Sequence, residues 1–107
     1  MSKPIGVAII DRARTIIADP DHWCQGSYAK SNGGVPVSAE DRSAQRYCAM
    51  GALILAAFEI TGDVGRGREL AYSAARIISN TRSLIFVNDH EGHAAVVALI
   101  DKAIVDF

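Results

Sequence analysis

The chain is short of cysteine, of aromatic residues and of net charge, and it has no long hydrophobic run. Two cysteines in 107 residues, Cys24 and Cys48, are too few for a disulfide framework. Eleven Lys and Arg against twelve Asp and Glu leave a formal net charge of -1. That balance makes bulk nucleic acid or an anionic membrane an unlikely main partner. Only 7% of residues are aromatic, and no aromatic ladder accompanies the arginines. The longest apolar run, Tyr47 to Phe58, is 12 residues, whereas a membrane-spanning helix takes about 20. Charge appears at Asp11 and Arg12 before any long apolar segment, so no secretory signal is expected. A cytoplasmic, reducing compartment with both thiols free is the corresponding expectation. No internal repeat or low-complexity segment is visible.

What is present is apolar and small. Half the chain is hydrophobic, with seventeen alanines and twelve isoleucines. That is too much apolar residue for a disordered chain, and the length suits one domain over residues 1–107. Alanine favours helix, and small side chains let helices approach closely.

The apolar spacing predicts four helices. In the first, about Pro4 to Ala18, Ile5, Ile9, Ala13, Ile16 and Ile17 form one stripe, with Asp11, Arg12 and Arg14 off it. Asp19-Pro20-Asp21 ends it. The second runs from a capping-box-like Ser38-Ala39-Glu40-Asp41 to about Ile60. From Cys48 to Phe58 every position is apolar or glycine, so this helix is read as central and enclosed. Gly51 on it suggests close approach by another helix or by Trp23. After a Gly62–Gly67 loop, the third spans about Arg68 to Asn80, with Leu70, Ala74, Ile77 and Ile78 inward. Leu84 to Val87 is read as extended or a single turn. Asn88-Asp89 opens the fourth, about His90 to Asp106, striped by Val96, Leu99, Ile100, Ala103, Ile104 and Phe107. Between the first two helices, Asn32-Gly33 separates short runs, the strongest local hairpin signal. It predicts a ribbon of Gln25–Lys30 against Val35–Val37, with Pro36 confining the second strand to an edge. The fold class is therefore mainly α: a four-helix orthogonal or bundle-like domain with one β-hairpin inserted after the first helix.

Several words of this sequence recur together. They are Trp23-Cys24-Gln25-Gly26, Gly34-Val35-Pro36-Val37, Cys48-Ala49-Met50-Gly51-Ala52-Leu53, Asn88-Asp89 with His93, and Leu99-Ile100-Asp101-Lys102-Ala103-Ile104. In this order the set resembles a small bacterial domain family of unknown function, with members in phage genomes, over about Ile9 to Ile104. The resemblance implies a compact, mainly helical domain and no assigned reaction.

The sharpest candidate chemistry gathers Cys24, Cys48, Asn88, Asp89, His90 and His93. A thiolate nucleophile needs a base and a group to orient that base, which makes Cys24, Cys48, His93 and Asp89 the candidate catalytic set. Against it, a free cysteine is most often a small buried hydrophobe, and Cys48 is placed two turns inside its helix, where the dipole has faded. A zinc site is disfavoured, since Cys24 and Cys48 form no knuckle and His90-x2-His93 is too tight; neither metal nor cofactor is expected. Asn88 with Glu91 reads equally as a helix-capping pair, and His93 as a hydrogen-bonded residue at the core boundary. Trp23 is expected to anchor the ribbon and to need a partner for its indole N–H. Together with Gln25 and Tyr28, and with Asn88 and His90, it forms the candidate ligand-binding set. The Gly62–Gly67 segment lacks the Gly-Lys-Ser/Thr ending of a phosphate loop and follows a helix, which favours a plain connector. Arg66, Arg68, Arg76 and Arg82 read as a solvated face interrupted by Glu69.

No complete catalytic set is visible. The leading expectation is a binding module for an unknown protein partner or for a second copy as a homodimer. The alternative is a Cys/His-based enzyme or small-ligand site near Trp23, Cys24, Cys48 and His93.

Overall fold

Pro4, with no N–H to leave unsatisfied, caps the first helix, α1 (Ile5–Ile16). The computed structural model describes residues 4–79 and 83–106. Ile9, Ile10, Ala13 and Ile17 turn to the core, while Ile5, expected on that stripe, lies 46% exposed. Asp19 then accepts a hydrogen bond from the Asp21 N–H at 2.9 Å and starts a single 3-10 turn, Pro20–His22.

The ribbon is a sheet of three short strands rather than a hairpin. β1 (Ala29–Ser31) lies between β2 (Pro36–Val37) and β3 (Ala44–Tyr47), all antiparallel. As Pro36 requires, β2 is an edge strand. The β1–β2 turn closes with Gly34 at φ +84°, a backbone shape that suits glycine. The third strand overturns the expected start of the second helix. Residues 38–43 are turns, and Asp41 accepts from the Ser43 N–H at 2.8 Å, so Ser38 caps nothing. Strand pairing wins over the helical pattern here, without strict alternation: Ala44 is buried, Gln45 and Arg46 are exposed, and Tyr47 is half-buried. A register shift between Lys30 and Ser31 pairs Ser31 with Ala44 and Lys30 with Arg46.

The central helix is α2 (Ala49–Thr61), and it is as enclosed as its composition requires: Ala49 to Ile54, Ala56 and Ala57 are all buried. Fully burying a side chain such as Leu53 or Ile54 contributes about 1.5–3 kcal/mol. Gly62, at φ +70°, ends α2, and its N–H donates to the Phe58 carbonyl. Asp63 caps α3 (Val64–Ile78) by accepting from the Arg66 N–H at 2.9 Å. The connector is thus two residues rather than six, and a carboxylate already holds the amide that an anion would take. Gly67, buried in the first turns of α3, faces the α2 backbone; a Cβ there would lie 3.1 Å from the Phe58 nitrogen. Ala71, Ala74 and Ile78 continue that face, while Ile77 points outward at 43% exposure.

Residues 84–90 form a separate two-turn helix, α4 (Leu84–His90), capped by Ser83, and α5 (His93–Val105) follows from Gly92. There are therefore five helices among the described residues. Asn88 and Asp89 end α4 instead of opening the last helix, because Gly92 at φ +94° breaks the chain between them. Asn80, Arg82 and Phe107, which the sequence places at a helix end, in the basic stretch and on the last stripe, lie outside the described residues. One apolar cluster joins all five helices, from Ile9 through Leu53 and Val87 to Ile100.

Candidate functional site

The chain between the 3-10 turn and β1 is anchored by one residue from α4. Asn88 is 1% exposed, the one buried polar residue among the described residues. A buried amide is costly unless all its hydrogen bonds are made, and Asn88 makes four. Its Oδ1 accepts from the Trp23 indole N–H at 2.7 Å and from the Ala49 N–H at 2.9 Å. Its Nδ2 donates to the Cys24 carbonyl and to Asp89 Oδ1, both at 3.1 Å. Asn88 therefore caps a helix, but the cap is remote: it satisfies the first N–H of α2, 39 residues away. The expected local capping pair with Glu91 is replaced by this arrangement.

Neighbours extend the clamp. Gln25 Nε2 donates to the backbone carbonyls of Asn88 at 3.0 Å and Asp89 at 3.2 Å. Asp89 Oδ1 accepts from the Gly26 N–H at 3.0 Å. Cys48 is the N-cap residue of α2, not an interior position, and its Sγ accepts from the Gly51 N–H at 3.2 Å. Gly51 is small because the Tyr28 backbone crosses it: a Cβ there would lie 1.8 Å from the Tyr28 carbonyl oxygen. The close approach comes from the strand-entry loop, neither from a helix nor from Trp23.

Electrostatics disfavour thiolate chemistry. Burial pushes the Cys48 thiol up to about 11, outweighing the opposing Gly51 N–H. Burial raises Cys24 as well, although Lys30 and Arg46 pull the other way. Cys24 donates to the Ser27 carbonyl at 3.7 Å. His93 Nε2–H donates to the Ile17 carbonyl at 2.6 Å, and its ring meets Trp23 edge-on at 5.5 Å between centroids. His90 is exposed and stacks on Phe86 at 4.6 Å. Among the described residues, neither histidine is hydrogen-bonded to either sulfur, and no three His, Cys, Asp or Glu side chains are grouped to hold a metal ion.

The structure thus brings together Trp23, Cys24, Gln25, Cys48, Asn88 and Asp89, sets His93 behind Trp23, and leaves His90 on the outer surface. Beside this clamp is a small cleft of about 330 Å³, part of it open to solvent, lined by Gly26, Ser27, Tyr28, Cys48, Ile85, Asn88 and Asp89. Tyr28 is 37% exposed on its rim, and burial, with the neighbouring Tyr72 side chain, raises its phenol above the usual range. Ile85 and Phe86, 50% and 56% exposed, are the contribution that pattern reading overlooked. The signal was there: in a two-turn helix, four consecutive apolar residues cannot share one face, so Leu84 and Val87 go in and Ile85 and Phe86 go out. The arginine stretch, by contrast, is broken up by ion pairs, Arg68 with Glu40 at 2.8 Å and Arg66 with Glu69 at 3.6 Å.

The model of a family of unknown function, DUF6197, matches residues 1–106, and the chain belongs to that family. No curated protein and no solved structure matches it. No helix of the described residues is long and apolar enough to cross a membrane.

Proposed function

We propose that this member of the family is a non-catalytic binding module, and that its contact surface is the cleft lined by Tyr28 and Ile85 together with the exposed Phe86 that follows on α4. The observation that carries this reading is Ile85, held half out of the protein on the lining of an apolar hollow, with its neighbour Phe86 exposed as well. Exposed large apolar side chains next to a concavity suit an interface that buries an anchoring side chain. The hydrogen-bonded clamp behind the cleft keeps it preformed, which lowers the entropy cost of binding. A formal charge of -1 leaves little repulsion between copies, so a second copy is the first partner to test.

The Cys/His reading is the weaker one. Its thiols are raised by burial, and the His93 Nε2 proton is engaged by the Ile17 carbonyl. A dilution series by two-dimensional amide NMR, run beside sedimentation velocity, tests the homodimer. Concentration-dependent shifts at Tyr28, Ile85 and Phe86, lost in Phe86→Asp, are expected. A strict monomer with unchanged spectra up to millimolar concentration would remove the self-association reading.

A further inference from the structure

The two cysteines sit at corresponding positions on either side of one backbone contact. Trp23 and Tyr47 form an isolated parallel bridge. The Cys24 N–H donates to the Tyr47 carbonyl at 3.1 Å. Trp23 and Cys48 are both in extended backbone, so the chain continues from the bridge to Cys24 on one side and to Cys48 on the other. Adjacent strands lie about 5 Å apart, and residues one step beyond a bridge share a face. Disulfides form between α-carbons about 4.4–6.8 Å apart, a window this spacing meets. One step further on, the Asn88 amide bridges the two segments, accepting from the Ala49 N–H and donating to the Cys24 carbonyl. The Cys24 thiol is also among the groups that raise the Cys48 thiol. Both thiols are free in the structure.

We propose that Cys24 and Cys48 are a reversible dithiol–disulfide pair, oxidised by exchange with a small-molecule disulfide of the glutathione type. The Cys24 thiolate, after losing its proton to water, attacks one sulfur of the small disulfide and expels the first small thiolate. The Cys48 thiolate then attacks the Cys24 sulfur of the mixed disulfide and expels the second. Two protein thiols and one small disulfide become one protein disulfide and two small thiols, a two-electron exchange with no other oxidant. Cys24 reacts first because it lies on the outer segment, beside exposed Gln25 and Gly26. The bond would staple the Trp23 segment to the N-cap of α2. It would also recast the cleft, which Cys48 helps to line. Burial of both thiols makes the pair slow to react and selective for conditions that open the loop.

The test is incubation of the full chain with oxidised glutathione at mildly alkaline pH, and in parallel refolding from denaturant in a glutathione redox buffer. Intact mass and non-reducing peptide mapping read the outcome. The expected product has lost two hydrogens, yields a Cys24–Cys48 linked peptide, keeps its near-UV circular dichroism, and melts about 10 °C higher until dithiothreitol is added. Cys24→Ser and Cys48→Ser should each accept at most one glutathione and form no intrachain link. If oxidative refolding gives only mixed glutathione adducts, interchain dimers or free thiols, the proposal is overturned. It is equally overturned if the linked form has lost its near-UV signal. Self-association plays no part in these readouts, so the two proposals can fail separately.

Discussion

The two ends of α2 are built in different ways. At its C-terminal end everything is local: Gly62 adopts the left-handed shape, Asp63 caps the next helix within three residues, and Gly67 lets α3 fold back against Phe58. At its N-terminal end almost everything is distant. The first N–H is satisfied by Asn88, Gly51 is crossed by Tyr28, and the N-cap cysteine directly follows a strand that β1 must first pair. A local corner tolerates single changes, because each group answers to one neighbour. A junction of three segments through one amide does not, because one removal strands several buried groups at once.

Asn88→Ala should show this most strongly. It leaves the Trp23 indole N–H, the Ala49 N–H and the Cys24 carbonyl without their partner, and we expect a loss of about 3 kcal/mol or more in chemical denaturation. Trp23 fluorescence should shift as the indole is released. A loss below about 1 kcal/mol would mean that the junction rests on apolar packing instead.

Next is Gly51→Ala, whose Cβ would meet the Tyr28 carbonyl at 1.8 Å, a backbone atom with no room to yield. Roughly 2–3 kcal/mol of destabilisation is expected, with amide shifts concentrated in residues 26–30. Unchanged stability would show that the loop can lift off α2 freely.

Alkaline pH loads the same end. The folded Cys48 thiol is raised from 9.0 to about 11 by burial. Below pH 9 both states keep the proton. Between about 9 and 11 the unfolded chain releases it while the folded one retains it, so stability falls as pH rises. The thiol contributes about 2–3 kcal/mol to that fall. Tyr28, Tyr47 and Cys24, also raised by burial, act in the same direction. Urea denaturation across this range should therefore fall less steeply in Cys48→Ala. An identical slope in the two proteins would contradict the buried thiol.

The corner should respond least. Asp63→Ala removes one cap bond and should cost about 1 kcal/mol. Gly67→Ala gains helix propensity but brings a Cβ to 3.1 Å from the Phe58 nitrogen, and the balance should be within about 1 kcal/mol of zero by thermal denaturation. If either corner variant lost as much as Asn88→Ala, the contrast between the two ends would collapse.

The same contrast governs what could be read from the chain beforehand. The enclosed Cys48–Phe58 run, the stop at Asp19-Pro20, the edge position of Pro36 and the core-facing Val96 and Ile100 follow from periodicity and backbone chemistry, and all are found in the structure. The start of α2 was misplaced because Ser38-Ala39-Glu40-Asp41 is locally a fair capping box. Strand pairing of Ala44–Tyr47 with a segment some fifteen residues earlier overrode it. Asn88 departs from its expected role for a related reason: its pattern with Glu91 is local, whereas three of its four partners are 39 to 65 residues away. Of the candidate site, Trp23, Cys24, Cys48 and Asn88-Asp89 were recognisable as unusual residue types. Ile85 and Phe86 were hidden until α4 proved to be a helix of two turns.

By itself the sequence determined a mainly helical chain around one enclosed alanine-rich helix, because apolar spacing and glycine or proline stops act over a few residues. Only the tertiary structure decided which end of that helix becomes a junction and what its amide hub holds. It also decided that Cys24 and Cys48 each follow a residue of one backbone bridge, Trp23 with Tyr47. Those outcomes depend on hydrogen bonds between segments far apart in the chain, which exist only once the core has brought them together.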